Sequence, residues 1–197
     1  MRYLFLDTAS SRVIVSIVQD SKILFYKDEE NDNNLSNRIM VIVEDAFKSC
    51  NLKPADIDKI FVVNGPGSFT GIRCGVTVAK VMAYSLDVPV IPISELEVMC
   101  SGFEEKVCAF IDARRSYVYG GIYENLVNIK EDSYILYDDL VKDYSGIIIS
   151  YEEGFVKPKI DVLKLIEKHK DESISVHKLV PNYLKLTEAE ENLIKNS

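Results

Sequence analysis

Asn64-Gly65-Pro66-Gly67-Ser68-Phe69-Thr70-Gly71-Ile72-Arg73-Cys74-Gly75 is the stretch on which the fold turns. The apolar run 60–63 that enters it reads as a buried strand of an α/β layer. Gly65, Pro66 and Gly67 combine free and fixed φ angles in a tight strand-to-helix turn. Ser68 and Thr70 are both placed to cap the helix that follows. That helix is predicted over 70–86, and its only charged residues are Arg73 and Lys80. So little charge predicts a helix covered on nearly every side. Gly71, Gly75, Ala79 and Ala83 recur at every fourth position as one stripe of small side chains, which lets another backbone approach closely. The expected neighbour is a second helix, inside the fold or across a subunit boundary. The width of the apolar surface favours the subunit boundary.

A phosphate-binding reading of the same glycines fits less well. Gly65, Gly67 and Gly71 have the spacing G-x-G-x-x-x-G, and no Gly-Lys-Ser/Thr follows. Asp87 stands near the distance at which a dinucleotide fold places its ribose-binding acid, but it precedes the predicted strand 88–93 instead of ending it. A structural turn followed by a packing surface is the better reading.

Upstream, 2–6 reads as a buried strand that runs into Asp7-Thr8-Ala9-Ser10, with further strands predicted around 13–17 and 23–26. Three such strands with an acidic turn after the first resemble the opening of the actin/Hsp70/sugar-kinase (ASKHA) superfamily. ATP-binding members need a glycine in that turn, where backbone N–H groups cradle phosphate. None is present, so Asp7 is read first as a turn former, with a catalytic or metal carboxylate as the alternative. A helix is predicted over 35–50, capped by Asn33 or Asn34; its stripe of Leu35, Ile39, Met40, Val43, Phe47 and Cys50 is widened by Val41 and Ile42. Downstream, 88–93 is an edge-compatible strand because each proline removes a ladder donor. Ser94-Glu95-Leu96-Glu97 reads as a capping box.

A boundary between two halves is placed at the charged cluster 104–106. Strands are then predicted at 107–111 and 117–123, separated by Asp112-Ala113-Arg114-Arg115, where Asp112 and Arg114 suggest an ion pair or turn network, with a catalytic role for Asp112 as the alternative. A segment at 135–137, a strand near 146–150 and an amphipathic helix near 160–168 follow. His169 and His177 lie eight residues apart, a spacing that does not suit a ligand pair on one helix, so both are expected at the surface.

The central run, with Gly65, Gly67, Ser68, Thr70 and Gly71 and continuing to Ala79-Lys80, resembles the signature of the TsaB (YeaZ) family. Ile111-Asp112-Ala113-Arg114-Arg115 followed by Val118-Tyr119 resembles a second motif of that family. Pro181-Asn182-Tyr183-Leu184-Lys185, then Glu188-Ala189-Glu190, resembles its closing motif, with Lys185 where arginine is usual. Leu35 stands where relatives commonly carry histidine, and relatives are often longer through the second half.

The resemblance implies an ASKHA fold of two small α/β subdomains, 1–103 and a shortened 104–197, with a degenerate nucleotide site. It implies a non-catalytic subunit of the machinery that makes threonylcarbamoyladenosine in tRNA, beside the anticodon in tRNAs reading codons that begin with A. The expected partner is TsaD, which carries the nucleotide, the metal-binding histidines and the transfer chemistry. A TsaE-like ATPase is a further partner, and tRNA is reached only through the complex. No cofactor is expected on this chain itself. The expected partner face is Leu35, Ile39, Met40, Val43, Phe69, Ile72, Arg73, Gly75, Val76, Ala79, Lys80 and Ala83, which also serves a homodimer when the chain is alone. The alternative is a small ASKHA-type ATPase or kinase, or a peptidase acting on its partner.

Composition agrees with a globular protein. Of the 197 residues, 47% are hydrophobic and 27% charged. No apolar run approaches the ~18 residues of a membrane span, and no charged-then-apolar leader opens the sequence, so a cytoplasmic protein is expected. The four cysteines form no C-x-x-C pair, which suits reduced thiols. A net charge of −8 disfavours direct contact with a nucleic-acid backbone.

Overall fold

The computed structural model describes residues 1–31 and 34–185. Strands β1 (Arg2–Asp7), β2 (Arg12–Gln19) and β3 (Lys22–Glu30) form an antiparallel meander. Helix α1 (Leu35–Cys50), β4 (Lys59–Gly65), α2 (Phe69–Leu86), β5 (Val90–Ser94) and α3 (Glu95–Cys100) follow. β4 lies parallel to β1 and β5 parallel to β4, giving a five-stranded sheet in the order β3-β2-β1-β4-β5. β1 and β4 are buried on both faces, which is why Leu4-Phe5-Leu6 and Ile60-Phe61-Val62-Val63 are unbroken apolar runs instead of alternating ones. α1 and α2 pack side by side on this sheet. Asn51 and Asp87 end them in the left-handed region, so Asp87 is a helix cap and not a ribose ligand. Of the two proposed caps for α1, Asn33 lies outside the described residues, and the Asn34 side chain accepts from the Asn37 side chain at 2.6 Å.

A second sheet holds β6 (Lys106–Asp112), β7 (Tyr117–Glu124), β8 (Val127–Leu136) and β9 (Ile147–Ile149) in the order β8-β7-β6-β9, with the short helix α4 (Tyr137–Val141) after β8. Leu96, Met99 and Cys100 of α3 pack on one face through Val107, Ala109 and Tyr123. Leu140 of α4 packs on the other through Cys108, Phe110 and Val118. The two α/β units, each with a mixed sheet, form an ASKHA fold. β8 is longer than the predicted segment at 135–137 because its first half, Asn128–Asp132, is polar and held by pairing with β7, which leaves no apolar pattern to read.

The second half does not stay with its own sheet. After β9 the chain forms α5 (Val162–His169), whose Val162, Leu165 and Ile166 fill the core of the first sheet. Ile174 then donates its N–H to the Val90 carbonyl at 2.9 Å, an antiparallel bridge along edge strand β5. A division at residue 104 separates the two sheets but not the two packed bodies, because residues 162–179 cover apolar surface of the first.

The joint between α5 and α3 is ionic. His169 is buried, contrary to the surface position expected, with Nε2 2.7 Å from Glu97 Oε1 and Nδ1 3.0 Å from Glu172. Lys168 Nζ donates to the same Glu97 oxygen at 2.6 Å and to the Leu126 carbonyl at 2.6 Å. Glu97 is thus turned toward α5 instead of closing a capping box. Burial pushes the Glu97 carboxyl up, but hydrogen bonds from His169 and Lys168 outweigh it and hold the group below its ordinary range. The hydrogen bond to Glu97 raises the His169 imidazole against the opposing effect of burial. Stability from His169 is complete below its unfolded pKa and lost as pH rises through the raised value; that from Glu97 is complete above its unfolded pKa and lost as pH falls through the lowered value. The joint is strongest between about pH 4.5 and 6.5. His169→Gln should cost about 1.5–3 kcal/mol near pH 6 by urea unfolding, and progressively less toward pH ~9.

Candidate functional site

The glycine-rich turn is a seat. Ser68 caps α2 by accepting from Gly71 N–H at 3.2 Å, and its own N–H donates to the Ala9 carbonyl at 2.7 Å. Thr8 Oγ1 donates to the Gly71 carbonyl at 2.7 Å. A Cβ on Gly67, which sits at φ +148°, would overlap the Ala9 carbonyl oxygen. One on Gly71 would overlap the Thr8 carbonyl oxygen, and one on Gly75 would lie 2.5 Å from Thr8 Oγ1. At Gly71 and Gly75 the small stripe therefore meets the turn after β1 and the strand β4, and among the described residues no second helix lies against these two glycines. This corrects the sequence expectation: backbone does approach closely, but from a strand end of the same chain.

Between this seat and the β6–β7 turn lies a cleft of about 790 Å³, lined by Ser10, Ser68, Thr70, Ile111, Asp112, Arg114 and Tyr119 among others. Asp7 Oδ1 accepts from Ala9 N–H at 2.9 Å, and Asp112 Oδ1 accepts from Arg114 N–H at 3.2 Å. Each acid braces its own glycine-free turn, and the Asp112 contact is to the Arg114 backbone, a turn network in place of an ion pair. Arg114, Arg115 and Ser116 hold positive φ values of 68°, 54° and 64°. Among the described residues no group of three or more His, Cys, Asp or Glu could hold a metal ion. Sequence reasoning missed Glu95, which is fully buried and faces Asp7; as a helix-start acid in a capping pattern it carried no sign of burial.

The closing motif docks on α2. Asn182 N–H donates to the Asn64 carbonyl at 2.7 Å, and Asn64 Nδ2 to the Val180 carbonyl at 3.0 Å. A Cβ on Gly65 would lie 2.5 Å from the Asn182 carbonyl oxygen. Lys80 Nζ donates to the Leu179 carbonyl at 3.0 Å. The Arg73 guanidinium lies 3.8 Å from the Phe69 ring centroid and its Nε donates to the Tyr183 hydroxyl at 2.8 Å, while Tyr183 stacks on Phe69 at 5.4 Å. Arg73, Lys80 and Phe69, expected at a partner face, thus hold the chain's own C-terminal strap. The acidic run at Glu188 lies outside the described residues.

Of the other expected face residues, Leu35, Ile39, Val43, Ile72, Gly75, Val76, Ala79 and Ala83 are buried within this chain, and Met40 is exposed. The outward apolar surface of α1 and α2 consists of Met40, Val41, Phe69, Val81 and Tyr84, with Val81 60% and Tyr84 69% exposed. Val81 and Tyr84 lie outside the predicted face because the small stripe was assigned to the partner instead of to the sheet. A groove of about 410 Å³ runs between the helices past Met40, Phe69, Arg73 and Val78.

A family model described as TsaD, tRNA N6-adenosine threonylcarbamoyltransferase, matches residues 29–162. The tRNA threonylcarbamoyladenosine biosynthesis protein TsaB of Bacillus subtilis is 30% identical over 228 aligned positions that span 100% of this chain and 99% of that protein. The alignment is longer than the present 197 residues, so the relative carries insertions. TsaB of Escherichia coli is 33% identical over 129 positions, 63% of this chain and 55% of that one. YeaZ from Pseudomonas aeruginosa superimposes with a TM-score of 0.80 at 21% identity, covering 93% of this chain and 99% of that one, which shows a shared fold.

The seat makes Gly75→Leu a folding variant. Its side chain must displace Thr8 and Val62, so a loss of about 1–3 kcal/mol or more is expected in chemical denaturation. Val81→Lys, on the exposed side of the same helix, should stay within about 0.5 kcal/mol of wild type.

Proposed function

Because the chain belongs to the TsaB family of tRNA threonylcarbamoyladenosine biosynthesis proteins, we propose that it is the non-catalytic partner of a TsaD-type threonylcarbamoyltransferase. In this reading it docks through the outer surface of α1 and α2 and activates the catalytic subunit. The modification falls on the adenosine beside the anticodon in tRNAs that read codons beginning with A. A TsaE-type ATPase serves the same assembly, the chain brings no cofactor of its own, and in isolation it pairs with a second copy through the same surface. No helix among the described residues is long and apolar enough to cross a membrane, and the proposed place of work is the cytoplasm, with the tRNA.

The observation that carries this reading is the set of exposed apolar residues on two packed helices, Met40 and Val41 on α1 and Phe69, Val81 and Tyr84 on α2. Several exposed apolar residues on one pair of helices favour a protein partner over solvent. The cleft supports a second reading, a small ATPase or kinase: it is roomy, carries the hydroxyls of Ser10, Ser68 and Thr70, and opens on the N-terminus of α2. Against that reading, the turns at Asp7 and Asp112 lack the glycine through which phosphate is cradled.

The double variant Val81→Glu/Tyr84→Glu should keep the wild-type melting transition yet weaken binding to the organism's TsaD-type subunit at least ~100-fold in titration calorimetry. Undiminished binding would remove α2 from the interface, and ATP turnover by the isolated chain would favour the second reading. With a net charge of −8, the isolated chain should show no measurable tRNA retention in filter binding at physiological salt. Adding the partner should restore it.

A further inference from the structure

We propose that Asp7 and Glu95 share one proton, forming a buried carboxylic acid–carboxylate pair that ties the end of β1 to the start of α3 where the two sheets meet. Asp7 closes β1, Glu95 opens α3, and Tyr151 follows β9 of the second sheet. Both acids are fully buried. Asp7 Oδ1 is satisfied by the Ala9 N–H, but Asp7 Oδ2, both Glu95 oxygens and the Tyr151 hydroxyl have no hydrogen-bond donor or acceptor of ordinary geometry among the described residues. Glu95 faces Asp7, Ser10 and Tyr151, while Tyr26 and Asp28 on β3 approach Asp7.

The cations of the neighbourhood are engaged elsewhere. Arg12 Nε is 2.7 Å from Asp28, and Lys157 Nζ donates to the carbonyls of Tyr151 and Glu152 at 2.7 and 2.8 Å. Two adjacent, fully buried carboxylates, with no cation hydrogen-bonded to them among the described residues, cannot both stay ionised. One proton between them removes the repulsion and supplies the missing donor. Asp7, already accepting a backbone N–H, is the better anion. Glu95 therefore keeps the proton, its O–H donating to Asp7 Oδ2. Burial raises the titration of both groups, and for Glu95 the charge of Asp7 raises it further.

The pair is joined to the rest of the molecule on both sides. From Asp7 the chain runs directly into Thr8 and Ala9, which seat α2, and from Glu95 into the part of α3 that packs on the second sheet. Losing the proton leaves adjacent charges at this joint and loosens it.

In the unfolded chain both acids lose their protons near pH ~4, whereas the native pair still holds one. Native protein therefore binds more protons, and this contribution to stability is full below the unfolded value and falls as pH rises through the raised native titration. Infrared spectroscopy of the wild-type chain at neutral pH should show a protonated-carboxyl C=O band that disappears in Glu95→Gln. Glu95→Gln keeps the shape and a donor without the acid, so its Tm relative to wild type should climb with pH and exceed it by a few degrees near pH ~8. Asp7→Asn provides a second comparison if Glu95→Gln fails to fold, and the wild-type infrared spectrum stands without either. Absence of the band at neutral pH, or a Tm difference between variant and wild type that does not change with pH, overturns the proposal. So does a wild-type Tm that rises with millimolar Mg²⁺ or Ca²⁺, which would place a cation between the acids in place of the proton.

Discussion

The fold depends on the contact between the turn after β1 and the first two turns of α2. Thr8 Oγ1 donates to the Gly71 carbonyl, Ser68 N–H donates to the Ala9 carbonyl, and the backbones at Gly67 and Gly71 lie where any Cβ would strike a carbonyl oxygen. A backbone carbonyl has no rotamer with which to yield, so the glycines are a steric requirement of the seat. Gly71 and Gly75, inside α2, each lower helix propensity by roughly 1 kcal/mol. The packing they permit, with Ile72, Val76, Ala79 and Ala83 buried on the sheet beside them, offsets that cost.

Once the seat is made, the neighbouring elements have little freedom. β4 must end beside β1, which sets the parallel pairing of Tyr3 with Lys59 and Leu6 with Val62. The Gly65 backbone is left close to the strap carbonyl of Asn182, and Arg73 and Lys80 are turned outward toward Tyr183 and Leu179. The residues that make the central run so recognisable are therefore largely occupied with holding this chain together. Asn64, Gly65, Phe69, Arg73 and Lys80 read the closing motif more than a hundred residues ahead in most of these contacts. A run of this kind can persist for intramolecular reasons while the face that meets a partner varies.

Much of the fold was legible because its signals are local. The period-two strands, the Ser68 cap, the break at Gly65-Pro66-Gly67 and the paired prolines of an edge strand each act within a few residues of themselves. What was not legible depends on distant partners. His169 looked solvent-facing because the acids near it in sequence, such as Glu172, are themselves exposed, and the partner that buries it, Glu97, lies 72 residues away. Glu95 and Glu97 looked like one capping box, yet one is buried against Asp7 and the other against α5. β8 was underestimated because a strand held by its neighbour needs no apolar pattern of its own. The small stripe was recognised as a site of close approach, but periodicity names a face of a helix and not its occupant.

That last distinction separates the two sides of α2. A helix with only Arg73 and Lys80 charged must be covered widely, and the sheet takes the side of Gly71, Gly75, Ala79 and Ala83. The strap takes the flank of Arg73 and Lys80. Val81 and Tyr84 remain exposed, Tyr84 with one edge on the His177 ring, as do Met40 and Val41 of α1. Had the small stripe been the partner surface, a partner could bind only by prying the helix off Thr8, and assembly would cost the fold its seat. In the proposed assembly, with the stripe facing inward and larger apolar residues outward, the chain would fold first and offer a finished surface afterwards. Docking then asks for desolvation and side-chain ordering alone, the costs a preorganised interface keeps small.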